Sequence, residues 1–130
     1  MDYPWPDEFE GFVELLRRSG LATERAVGEL VERYRKNYLP ATRLPDTVTA
    51  FCSFLVAENV LTTWQCTKLR ECRYKGSRVG HWLFLDELGG RTKERLFFAR
   101  DERGLGHAIL KVIPQDGPVP VRFEVVQRFG

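Results

Sequence analysis

The side chains best suited to nucleophilic or metal chemistry are three cysteines, Cys52, Cys66 and Cys72, and two histidines, His81 and His107. An odd set of cysteines without Cys-x-x-Cys spacing supports neither a disulfide framework nor a zinc site. Free, mostly buried thiols are therefore expected. The histidines stand far apart and lack a patterned cysteine or carboxylate partner, so structural or surface roles are expected of both. The sequence holds no Gly-x-Ser-x-Gly, no Walker-type phosphate loop and no His-Glu-x-x-His. Between 68 and 78 the cations Lys68, Arg70, Arg73, Lys75 and Arg78 face only one carboxylate, Glu71. With no interleaved aromatic beyond Tyr74, this run reads as a solvated face, and nucleic acid is not an expected partner. Trp64 reads as a core or domain-capping residue.

The elements that position these groups must fit within 130 residues, enough for one domain or two very small ones. Hydrophobic residues make up 43% and charged residues 29%, which argues against disorder. A net charge of +2 supplies no global field toward nucleic acid or an anionic membrane. No apolar run reaches the ~18–20 residues that span a bilayer. The start, Met-Asp-Tyr-Pro-Trp-Pro-Asp-Glu, has neither the basic nor the apolar region of a signal peptide. A cytoplasmic protein is expected.

The first half repeats itself. A shift of 39 residues lays Phe12 on Phe51, Leu16 on Leu55, Gly20 on Asn59, Leu21 on Val60, Thr23 on Thr62 and Leu30 on Leu69. Each copy reads as an apolar helix, a one-residue break suited to the left-handed conformation, and a threonine that N-caps a second helix. Thr62 and Gln65 have capping-box spacing, and Leu61 and Cys66 are placed as a hydrophobic staple. Four helices are expected, at about 6–19, 23–38, 46–58 and 63–74, with a loop at 39–45 set by Pro40 and Pro45.

After Gly76 the hydrophobic period shortens. Residues 81–88, 95–100 and 107–113 read as three strands of an antiparallel meander, separated by Gly89-Gly90 and by the turn residues 101–106. One face of such a sheet needs a cover, and the preceding helices are the available one. The expected fold is thus α+β, with two helical hairpins over 1–76 packed with a small three-stranded sheet over 77–130 that ends in a short helix.

Three stretches together resemble the opening strands of a serine/threonine protein kinase: Leu88-Gly89, Leu96-Phe97-Phe98-Ala99-Arg100, and Ala108-Ile109-Leu110-Lys111-Val112-Ile113-Pro114. The upstream string Leu55-Val56-Ala57-Glu58-Asn59-Val60-Leu61-Thr62-Thr63-Trp64-Gln65 is similar to the helical segment that precedes the kinase domain in planctomycete-type bacteria. The resemblance implies a nucleotide site at Lys111, Gly89, Leu88 and Leu96, with Glu124 as the helix glutamate that pairs with the lysine. It also marks departures. The second and third loop glycines are replaced by Arg91 and Glu94, where backbone amides of a working kinase approach phosphate. The small residue that packs on adenine is replaced by Ile109, which should crowd the ring. Lys111 therefore also reads as an outward-facing strand lysine or an ion-pair partner.

The sequence ends at Gly130 before any His-Arg-Asp catalytic loop or Asp-Phe-Gly metal site, so no enzymatic activity and no metal are expected of this chain. The expectation is a non-catalytic, pseudokinase-like interaction or signalling module, engaging a protein partner or a second copy of itself without a cofactor. The alternative is the ATP-binding front of a kinase.

Overall fold

In a computed structural model the described residues are 8–43, 45–73, 77–91, 93–104, 106–114 and 121–130, with Arg91 and Val121 described through the backbone alone. The chain divides into two compact units, Met1–Lys75 and Gly76–Gly130.

The first unit is helical: α1 (Phe9–Ser19), α2 (Glu24–Arg33), α3 (Leu39–Thr42), α4 (Val48–Ala57) and α5 (Thr63–Arg70). The repeat is visible in the ends of these helices. Gly20 takes φ 70° and closes α1, and Asn59 takes φ 58° after α4. There the Asn59 and Val60 amides return to the Val56 and Leu55 carbonyls, both at 3.0 Å, the paired bonds of a Schellman closure. Thr23 accepts a hydrogen bond from the Ala26 amide at 3.1 Å to start α2. Thr62 accepts one from the Gln65 amide at 3.1 Å, while Gln65 Oε1 accepts the Thr62 amide at 2.9 Å, completing the capping box. Repeat-related residues meet at the centre: Phe12 and Phe51 are both fully buried, their rings 6.0 Å apart and edge to face.

Two boundaries differ most from the sequence reading. Helix continues through the expected loop at 39–45 as far as Thr42, because α2 passes through a π-helical turn, Tyr34–Tyr38, directly into α3. A proline ring at 40 would press on the carbonyl four residues back, and the wider turn just before it makes room. The turn also seats Tyr34 in the aromatic core, with its hydroxyl donating to Asp46 Oδ1 at 3.2 Å. Burial, with Asp46 beside it, pushes the Tyr34 phenol up to about 12. Helix α5 stops at Arg70 rather than 74, because Cys72 adopts φ 59° and its amide returns to the Leu69 carbonyl at 3.0 Å.

The second unit corrects the expected fold. Its sheet has five antiparallel strands, not three: β1 (Arg78–Val79), β2 (Trp82–Arg91), β3 (Glu94–Asp101), β4 (His107–Pro114) and β5 (Val121–Phe129), in the spatial order β1-β2-β3-β4-β5. The short C-terminal helix is replaced by β5. The segment Val-Arg-Phe-Glu-Val-Val-Gln-Arg-Phe sets Phe123 and Val125 against Arg122 and Glu124, a two-residue period rich in β-branched and aromatic side chains. Register shifts between Phe84 and Asp86, between Glu87 and Gly89, and between Ile109 and Leu110 curl the sheet. One face collects Phe84, Phe97, Ala99, Ala108 and Leu110, with the Phe84 and Phe97 rings stacked at 4.7 Å. Among the described residues no helix is long and apolar enough to cross a membrane.

Candidate functional site

Cross-strand register decides which of the expected nucleotide-site residues share a surface. Gly89 lies opposite Leu96, Leu96 opposite Lys111, and Lys111 opposite Glu124, so these four form one row across β2, β3, β4 and β5. Directly opposed residues of antiparallel strands point to the same face, so the Leu96, Lys111 and Glu124 side chains emerge together. Ile109 lies two residues before Lys111 on this face, opposite Phe98. Leu88 is not paired in the row; it falls at a register shift in β2 and is 49% exposed.

The electrostatics of the row are local. Lys111 Nζ is 3.7 Å from Glu94 Oε2, with both side chains partly exposed. Glu124 stands across from Lys111 but its ion-pair partner is Arg122, at 3.1 Å. Glu124 lies on a strand directly hydrogen-bonded to the lysine strand, so the expected helix glutamate is a sheet residue here. Arg91 and Glu94 are paired, and only two residues join β2 to β3. The side chain of Arg91 lies outside the described residues.

The glycines of this hairpin do different work. Gly89 has φ 105° with open space where a Cβ would be. Gly90 has φ 130°, and a Cβ on it would fall 2.2 Å from the Glu94 carbonyl oxygen. The second glycine therefore allows β2 and β3 to approach each other, a requirement of the hairpin itself.

A second cluster has no marker in the sequence. Asp101, at the end of β3, has a fully buried side chain. It accepts Arg103 at 2.8 Å, and its Oδ2 lies 3.8 Å from Arg128 and 3.9 Å from His81. The Arg128 guanidinium in turn sits 5.3 Å over the Trp82 ring. One buried carboxylate thus gathers Arg103 from the turn after β3 and Arg128 from β5, with the His81 ring from the turn after β1 beside it. The Arg103 hydrogen bond holds the Asp101 carboxyl well below its usual value, at about 2, despite burial. A carboxylate with a depressed folded pKa stabilises the fold at pH values above its unfolded pKa, and the contribution fades as pH falls through the folded value. We expect Asp101→Asn to unfold at lower urea concentration at neutral pH. Its deficit relative to the parent should shrink as pH drops from about 4 toward 2. A deficit constant across that range would show that the carboxylate charge is not what holds the cluster.

Other singled-out residues are accounted for by neighbours within the chain. His107 stacks on Phe98 at 5.2 Å and 4°. Lys68 lies 5.7 Å from the Trp64 ring centroid and 3.4 Å from Glu71. Arg70 donates to Thr49 Oγ1 at 3.1 Å, and Arg78 grips both oxygens of Glu102 at 2.6 and 3.0 Å. Tyr74 and Lys75, the middle of the basic run, lie outside the described residues.

Among the described residues, the edge formed by β5 is open to an outside partner. Strand β4 occupies one side of it, and every residue from Glu124 to Phe129 is exposed. Val125, Val126 and Phe129 are 46%, 54% and 39% exposed. The spacing of Val, Phe and Arg in this segment was the available signal for a strand. Comparison of the chain with protein-family models, with curated proteins and with solved structures found no match.

Proposed function

We propose that this chain is a non-catalytic interaction module, a helical repeat joined to a sheet that resembles the front of a serine/threonine kinase, and that it acts by pairing through β5. The observation that carries this reading is the nine-residue edge strand, exposed from Glu124 to Phe129, with its three exposed large apolar side chains. Unpaired backbone donors and acceptors along such an edge accept a further strand. The occupant is a second copy of the chain. In an antiparallel register that sets Val125 against Val126 of the second copy, Glu124 meets Gln127, Phe123 meets Arg128 and Arg122 meets Phe129. No like charges are opposed in that arrangement, whereas like charges directly opposite each other destabilise a ladder.

Sedimentation of the parent chain over a range of concentrations should give a monomer–dimer equilibrium. Val126→Lys, which adds a charge at the edge, should hold the chain monomeric with an unchanged circular dichroism spectrum. A parent that stays monomeric throughout, or a dimer indifferent to the lysine, would overturn the β5 pairing.

A second reading is favoured by one observation. Gly89, Leu96 and Lys111 stand in one row, as a nucleotide-binding front of a kinase would require. Against it, Lys111 has a carboxylate partner in Glu94 and the strands are joined by a tight connection. The two readings part on a nucleotide titration.

A further inference from the structure

Helices α4 and α5 bound an open groove of about 410 Å³ in the helical unit. Cys52 from α4 and Cys66 from α5 both line it, together with Arg70 and Thr49. The two thiols meet at this groove from adjacent helices, close enough for each to perturb the other. Arg70 is fixed at the groove by its 3.1 Å bond to Thr49. Both cysteines are nearly buried, at 8% and 4% exposed, so the groove is their route to solvent. The pair divides its roles by environment. The neighbouring Cys66 thiol and, less strongly, the Arg70 charge lower the Cys52 thiol against the opposing effect of burial, while the Cys52 sulfur and then burial raise Cys66. Every residue that lines the groove belongs to the helical unit.

We propose that Cys52 and Cys66 form a dithiol modification site that takes a hydroperoxide as its oxidant and closes to a disulfide. The Cys52 sulfur attacks one peroxide oxygen and the O–O bond breaks. The departing oxygen leaves as water or alcohol with the proton released by Cys52, and Cys52 becomes the sulfenic acid. The Cys66 sulfur then attacks the Cys52 sulfur and the S–O bond breaks. Hydroxide leaves and takes up the Cys66 proton as water. In sum, the two thiols lose two electrons and two protons, and the hydroperoxide is reduced. The site is absent from sequence logic because Cys52 and Cys66 lack any paired spacing; the turn between α4 and α5 brings them together.

The test uses the full chain. Residues 44–68 form a single tryptic peptide that contains both cysteines, and Glu58 separates them for a second cut. After hydrogen peroxide and then N-ethylmaleimide, that peptide should be about 2 Da lighter than the reduced form and carry no maleimide. Its two halves should stay joined after cleavage at Glu58. Cys72, exposed and outside the pair, reports general oxidation in the same sample. In Cys66→Ser the sulfenic acid should persist on Cys52 and be trapped by dimedone. In Cys52→Ser, Cys66 should resist the same peroxide dose. Two maleimides on the 44–68 peptide at a dose that oxidises Cys72 would overturn the proposal. So would dimedone trapping on Cys66 with none on Cys52.

Discussion

Gly90→Ala should cost the sheet unit more than about 3 kcal/mol, while Gly89→Ala should cost about 1–3 kcal/mol. Both positions have positive φ, 105° and 130°, so any side chain there bears backbone strain. Only at Gly90 does the added Cβ also collide with main chain: 2.2 Å from the Glu94 oxygen and 3.0 Å from the Arg95 Cα. Gly90 and Arg95 are directly paired, so relief requires β2 and β3 to separate at that rung. Backbone atoms on the facing strand cannot step aside as a flexible side-chain end would. Urea unfolding of the two variants, with amide exchange read at β2 and β3, measures the difference. Equal losses would show that strain alone governs this hairpin and that close approach adds nothing.

Phe51→Ala should destabilise the helical unit by about 3–5 kcal/mol, a large share of the ~5–15 kcal/mol that holds an ordinary domain together. The ring is fully buried and packs against four others: Tyr34 at 4.9 Å, Phe9 at 5.0 Å, Phe12 at 6.0 Å and Phe54 at 6.1 Å. Truncation removes the transfer term of a benzyl group and leaves a cavity walled by aromatic rings that refill space poorly. Phe51→Leu keeps much of the volume and should lose markedly less. Thermal unfolding followed at helical wavelengths separates the cases, and near-equal losses for Ala and Leu would mean that the core collapses into the space.

Why the helical unit was legible and the end of the chain was not comes down to the kind of signal each carries. Gly20 and Asn59 announce left-handed closures, and Thr62 with Gln65 announces a capping box, because those roles depend on single side chains next to their own backbone. The pairing of Phe12 with Phe51 follows from an internal repeat that both copies had to bury. The helix through Pro40 was hidden because a proline normally stops one, and the compensating π-helical turn has no composition of its own. Strand β5 was hidden by the kinase resemblance, which implied a helix after the lysine strand although Val121–Phe129 alternates as a strand does. The Lys111–Glu94 pair, the cations around Asp101 and the Cys52–Cys66 pair are all tertiary. Each joins residues that neither spacing nor residue type links in one dimension.

The proposed role of the five-stranded sheet is pairing, not holding a nucleotide. Its most direct test is a thermal-shift titration with ATP and magnesium on the parent chain and on Lys111→Ala. No shift is expected at millimolar ATP for either protein, with Lys111 engaged by Glu94 of the neighbouring strand. A saturable rise in melting temperature that Lys111→Ala removes would contradict it and assign the Gly89–Leu96–Lys111 row to nucleotide binding.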